Sequence, residues 1–218
     1  GGVDSSLVAA IAQEQLGNNA IAVTGVSPSL APHLLEEARQ QAAWIGIQHK
    51  ECKTNELKDP EYSTNPQDRC FACKKELHLQ IKTITEASKG AQVIDGVNHD
   101  DLSEHRPGIR AARNAGVRSP LAELGISKCT VREISRAIGL PWWEKPAEPC
   151  LASRFPYGNE VNAKKLYQVN QAESWMRDLG YREVRVRIQG ESARIELLKE
   201  RIEEFILRKD LQKTIDYF

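Results

Sequence analysis

Two groups of residues in this chain could do chemistry. The first is GGVDSS, a glycine pair leading into Asp4, Ser5 and Ser6. Glycines let a backbone turn sharply with no side chain in the way. The polar residues then stand at a helix mouth, where free N–H groups and the positive end of the helix dipole favour an anion. The stretch lacks the GxxxxGKS/T lysine of kinase-type phosphate loops and the GxGxxG of dinucleotide folds. Cleavage between the α- and β-phosphates of a nucleotide therefore fits better than γ-phosphoryl transfer. The plainer alternative is an ordinary N-cap built from Asp and Ser.

The second group is three of the five cysteines. Cys70 and Cys73 form CFAC at the start of a predicted helix, a position that favours thiolates, and Cys150 lies in EPCLASR. In one reading three thiolates hold a four-iron, four-sulfur cluster and leave one iron open for hydrosulfide. In another, Cys150 gives up its own sulfur. A redox dithiol, a structural zinc and inert thiols are further readings. Cys52 and Cys129 carry no motif and read as ordinary residues. Arg185 and Arg187 alternate with Val184, Val186 and Ile188, so both arginines point to one face. Two guanidiniums there could grip a phosphate, or be the solvated face of a hairpin. Ser153 and Arg154 follow Cys150 and could orient a carboxylate and its adenylate, or merely tie down their loop. Asp101 and Arg106 could line a nucleotide pocket or form an ion pair.

These residues need a scaffold. Helices are predicted over 5–16, closed by Gly17, and over 33–45 and 73–88. Buried strands are predicted over 20–26 and 91–97, with a shorter one over 47–52. Alternating strands and helices imply an α/β fold, a parallel sheet with helices on both faces. A short helix near 109–114 follows, and Thr130 and Glu133 read as a capping box. The Pro-rich loop PWWEKPAEPCLASRFPYG is functional in character, because its apolar content speaks against disorder. Beyond it a helix over about 161–178, a hairpin around QGE and the helix KERIEEFILRK predict a small C-terminal α+β domain. The division is 1–155 for the nucleotide domain and 156–218 for the smaller one. A glycine pair normally follows a strand, so the opening predicts a fragment without its first strand, and the ending predicts a missing tail.

The chain has 218 residues, 40% apolar, with 30 basic and 30 acidic side chains. Zero net charge argues against a long nucleic-acid partner. No apolar run approaches the roughly 20 residues that span a bilayer. An odd number of cysteines in a chain of this length fits thiols kept reduced, in the cytoplasm.

GGVDSS resembles the SGGxDS pyrophosphate loop of the N-type ATP pyrophosphatases, although the leading Ser is absent here. Members form an adenylate from ATP and release pyrophosphate with magnesium. The resemblance implies that Gly1, Gly2, Val3, Asp4, Ser5 and Ser6 hold phosphate. It also implies that Val23 and Thr24 border adenine and that Gly96 and Asn98 close the pocket. RPGIRAARNAGVRSPLAELG and KPAEPCLASRFPYG narrow this to a resemblance to the LarE family of sulfur transferases, over nearly the whole chain. Those enzymes adenylate the carboxylates of pyridinium-3,5-biscarboxylic acid mononucleotide and convert them to thiocarboxylates of the nickel-pincer nucleotide cofactor. Some sacrifice the sulfur of the cysteine matched by Cys150. Others carry two more cysteines and use an iron–sulfur cluster, and CFAC places this chain with them. By the same resemblance Arg185 and Arg187 take the substrate phosphate, and Glu173, Glu196 and Asp4 are magnesium or substrate contacts. The implied partners are a small nucleotide substrate and a sulfur donor, and the implied assembly is a homo-oligomer, hexameric in family members. A tRNA thiolase, an ammonia-using amide synthetase and a non-catalytic nucleotide-binding regulator are the rival readings.

Overall fold

Small side chains set the first layer. The computed structural model describes residues 1–87, 90–208 and 210–218. Helix α1 (Val3–Leu16) leads into strand β1 (Ile21–Val26), helix α2 (Pro32–Ile45) and strand β2 (Gln48–Lys53). β1 and β2 pair in parallel, from Ile21 opposite Gln48 to Val26 opposite Lys53. Parallel neighbours need a crossover, which α2 provides. α2 starts with Pro32 in its first turn and stops at Gly46, whose φ of 77° is left-handed and suits glycine. Ala9, Ala12 and Ala22 let α1 and β1 approach Ala20, Ala42 and Ile47 closely. β1 is half-buried along its length rather than fully buried as predicted, with β2 its one ladder neighbour among the described residues.

The predicted third strand, 91–97, is reduced to a single parallel bridge between Ile94 and Arg118. Asp95 explains this. Its Oδ1 accepts from the Val97 N–H at 3.1 Å and from the Ser119 hydroxyl at 2.7 Å, turning the segment onto itself. The described residues thus form a mixed α/β protein with a two-stranded parallel sheet, not a larger parallel sheet.

α3 (Pro60–Ser63) precedes α4 (Arg69–Ala87). α4 begins four residues before the predicted start, so Cys70 and Cys73 lie within its first turns, three residues apart on one side. Ser88, the last residue of the predicted helix, lies outside the described residues. α5 (Pro107–Asn114), α6 (Pro120–Glu123) and α7 (Lys128–Ala137) follow. The cap of α7 is Ser127, whose hydroxyl accepts from the Thr130 N–H at 3.2 Å. The Thr130–Glu133 capping box therefore lies one turn too late, because Ser127 and Thr130 offer the same spacing earlier. α7 packs on α1 through Val3, Leu7, Val8 and Val131, with Leu121 of α6 and Leu140 beyond α7 in the same cluster.

The Pro-rich loop buries Leu151, Ala152 and Phe155 around a short 3-10 turn, Leu151–Arg154. α8 (Ala163–Asp178) then serves two cores. Leu166 and Val169 pack with Tyr62, Ala72, Leu151 and Phe155. Met176 packs with Tyr181, Val184, Val186 and Phe205. The latter core covers an antiparallel hairpin, β3 (Arg185–Gln189) and β4 (Ser192–Glu196), with Gln189 opposite Ser192 across the expected turn. α9 (Lys199–Leu207) ends before Lys209, which lies outside the described residues. The sequence pattern does not reveal α10 (Asp210–Tyr217), which is held partly by the Tyr217 ring stacked 4.3 Å from Trp175. Among the described residues no helix is long and apolar enough to cross a membrane.

Candidate active site

The mouth of α1 is open. Gly2 is its N-cap and no side chain caps it, so the first N–H groups of the helix are available to an anion. Ser5 and Ser6 donate their hydroxyls to the Gly2 carbonyl at 3.1 and 2.9 Å, and Gln41 Nε2 donates to the Gly1 carbonyl at 3.1 Å. The Val3 side chain is buried in the α1–α7 core, which leaves only its backbone at the mouth. Gly96 lies directly against this turn. A Cβ there would stand 2.5 Å from the Ser5 nitrogen and 2.9 Å from the Asp4 carbonyl carbon. Val23 and Thr24 stand in the middle of β1, and the Thr24 hydroxyl is bonded to His49 at 2.9 Å.

A polar line runs from the mouth toward the cysteines. Asp4 Oδ1 accepts from Asn98 Nδ2 at 3.1 Å. Asn98 is buried, and its own N–H donates to Asp101 Oδ2 at 3.1 Å. Asp101 pairs with Arg106 at 2.9 Å. Two residues on, Gly108 lies against the Cys70 backbone. Asp4 Oδ2 pairs with Lys128, a residue outside every motif in the sequence. A signal existed: Lys128 opens α7, and a cation is unfavourable at the positive end of a helix unless an anion holds it there.

Cys73 and Cys150, from α4 and the Pro-rich loop, pack against the same apolar cluster as Tyr62 and Leu151. Leu151 N–H donates to the Ser29 carbonyl at 2.9 Å, and the Ser29 and Tyr62 hydroxyls bond at 2.7 Å, which anchors the residue after Cys150. Burial pushes the Cys70 thiol up. Burial, then the Glu56 carboxylate and Cys150, push Cys73 up to about 12. Cys73 therefore stays protonated at neutral pH unless a positive charge such as a metal offsets its burial. Among the described residues no three Cys, His, Asp or Glu side chains stand close enough together to hold one metal ion. Cys73 and Cys150 share the apolar floor, and Cys70 lies one helical turn before Cys73 on α4.

Behind Cys150 lies a buried clamp. Arg154 Nε and Nη2 donate to Glu173 at 2.7 and 3.1 Å. Arg187 donates to the Ser153 carbonyl at 2.8 Å and to Glu196 at 2.8 Å, and Arg194 also holds Glu196. Arg185 and Arg187 share the face of β3 opposite the buried Val186. Glu173 also accepts from the Val186 N–H at 3.0 Å, so a metal or substrate contact at Glu173 would require these partners to move away.

The loop also ties to α2. Glu148 accepts from His33 at 3.1 Å and pairs with Lys145 at 3.3 Å. The His33 hydrogen bond, with Lys145, pulls Glu148 down to about 2 from its ordinary 4.5. A carboxylate depressed on folding stabilises above its ordinary value and loses that contribution as pH falls toward the folded one. Between pH 4.5 and 2 the loop should therefore loosen from α2. Trp142 and Trp143 emission should shift over that window, and a Glu148→Gln variant should lose this part of the transition.

A glycine-led helix mouth beside a parallel βαβ unit fits the ATP pyrophosphatase class. In that direction, the chain is 30% identical over 155 residues (65% of this chain, 49% of the relative) to a glutamine-hydrolyzing GMP synthase component of Archaeoglobus fulgidus. It is 34% identical over 211 residues to the pyridinium-3,5-bisthiocarboxylic acid mononucleotide synthase of Lactiplantibacillus plantarum, covering 96% of this chain and 76% of that protein. The chain belongs to this family, the LarE family. An uncharacterised protein of Synechocystis is 54% identical over all 218 residues, 81% of its own length. No protein-family model matches the chain.

Proposed function

We propose that this chain is an ATP-dependent, AMP- and pyrophosphate-forming sulfur transferase. Its substrate is pyridinium-3,5-biscarboxylic acid mononucleotide, whose carboxylates become thiocarboxylates on the way to the nickel-pincer nucleotide cofactor. One observation carries the reading. The line Asp4, Asn98, Asp101, Arg106 leads from an open helix mouth to the start of α5, whose Gly108 lies against Cys70, while Cys150 shares a floor with Cys73.

In this reading the α1 mouth and the Gly1–Gly2 turn seat the ATP phosphates; opening of the Asp4–Lys128 pair would free Lys128 to neutralise phosphate charge and Asp4 to hold magnesium. A carboxylate oxygen attacks the α-phosphorus as the bond to the departing pyrophosphate breaks. A sulfur nucleophile then forms a C–S bond while the C–O bond to AMP breaks, leaving the carboxylate oxygen on AMP. Arg185 and Arg187 hold the substrate phosphate. A four-iron, four-sulfur cluster held by Cys70, Cys73 and Cys150 would, when bound, supply an open iron for hydrosulfide. The apolar floor of Tyr62, Leu151 and Phe155 excludes water, which protects the adenylate from hydrolysis.

ATP–pyrophosphate exchange with the biscarboxylate, followed by mass detection of thiocarboxylate, tests the proposal. Absence of exchange with every pyridine carboxylate offered would sink it. Lys128→Ala should lower kcat/KM for ATP in that exchange about a hundredfold, the usual cost of one preorganised charge at a reacting phosphate.

A further inference from the structure

Cys150 stands on a loop, yet its tether belongs to the C-terminal segment. Glu173 is 1% exposed on α8 and is fixed from the far side by the Val186 N–H at 3.0 Å and by Arg177 at 3.6 Å. It grips Arg154 through both carboxylate oxygens. The remaining Nη1 of Arg154 then donates to the Pro149 carbonyl at 2.9 Å, the Ser153 hydroxyl at 2.9 Å and the Cys150 carbonyl at 3.5 Å. Arg187 takes the Ser153 carbonyl at 2.8 Å. Besides the Leu151 N–H bond to Ser29, the Pro149–Arg154 turn is thus held by two guanidiniums, one of which is aimed by Glu173.

We propose that Glu173 is a positioning residue that sets the place of Cys150 through Arg154. A planar guanidinium gripped on one edge has one direction left for its remaining donors, a geometry lysine cannot supply. Buried ion pairs add little net stability over apolar replacements. What this pair provides is direction, and a misplacement of about 1 Å at a reacting centre can cost a hundredfold. The proposal rests on the reading of Cys150 as part of the sulfur site.

Two variants test it: Glu173→Gln, and the apolar pair R154M/E173L, which leaves no unpaired buried charge should the single change not fold. Iodoacetamide labelling, read by peptide mass spectrometry, gives the reactivity of each thiol without any turnover. Cys150 labelling should rise at least about fivefold in both variants, the effect of about 1 kcal/mol of local loosening, while Cys70 and Cys73 stay within about twofold. In Glu173→Gln, pyrophosphate exchange should persist within about threefold while thiocarboxylate formation falls at least about tenfold. Unchanged Cys150 labelling overturns the proposal, as does a parallel rise of all three thiols or an equal loss of both half-reactions. If the unaltered protein shows no exchange, the functional reading fails, and a Cys150-selective rise in labelling still upholds the positioning role.

Discussion

Replacing Cys150 by Ala should abolish thiocarboxylate formation by at least about a thousandfold while leaving ATP–pyrophosphate exchange within about threefold, as expected when a group acts in only one of two chemical steps. The separation follows from geometry. The residues proposed for adenylation, from Gly1 to Ser6 with Asn98 and Lys128, are fixed by α1, the 95–101 turn and α7. Cys150 is fixed by other elements, the Tyr62–Leu151 floor and the Arg154 clamp. Cys70→Ala and Cys73→Ala should match Cys150→Ala if the three thiols act together, and all three variants should lose iron and sulfide on anaerobic purification. If Cys70 and Cys73 prove dispensable and Cys150 alone essential, Cys150 is the sulfur donor itself. Equal loss of exchange in the Cys150 variant would defeat the assignment of separate seats.

Gly96→Ala should cripple nucleotide binding. The new Cβ would meet three backbone atoms of Asp4 and Ser5 at 2.5 to 2.9 Å. Backbone cannot step aside as a side-chain tip can, so either α1 or the 95–101 turn must shift. Overpacking of this kind costs about 1–3 kcal/mol in stability. The shift also displaces the helix mouth, and ATP affinity by calorimetry should fall at least about tenfold. Gly25→Ala is the contrast. Its Cβ would stand 2.8 Å from the Leu77 Cδ1 atom, the end of a flexible side chain, so the loss should be smaller. Equal ATP affinity in Gly96→Ala and the parent chain would show that the close approach does not shape the seat.

Local patterns were legible where one segment contains its own cause. The glycine pair before α1, the Gly17 stop, the period-two hairpin and the apolar Pro-rich loop all follow from residues a few positions apart. Segment 91–97 was not legible as a bridge. Its apolar run reads as a strand; the local Asp95–Val97 bond turns it, and the distant Ser119 and Arg118 take others of its hydrogen bonds. The start of α7 is ambiguous in the sequence because two overlapping caps compete locally, and burial of Val131 against α1 favours the earlier one. α10 was missed because its hold on the protein is a ring stack and a buried Asp210, neither of which has a local pattern.

By itself the sequence determined the chemistry on offer: a helix mouth without a blocking side chain, three thiols, and paired arginines on one strand face. These depend on residue type and short spacing, which the chain carries wherever it folds. The tertiary structure alone decided which groups meet. Asp4 finds Lys128 across 124 residues, and Arg154 on the Pro-rich loop finds Glu173 on α8. Charge pairs at such separation are chosen by packing of α1 on α7 and of α8 on the loop, and for Arg154 and Glu173 burial also removes water as an alternative partner.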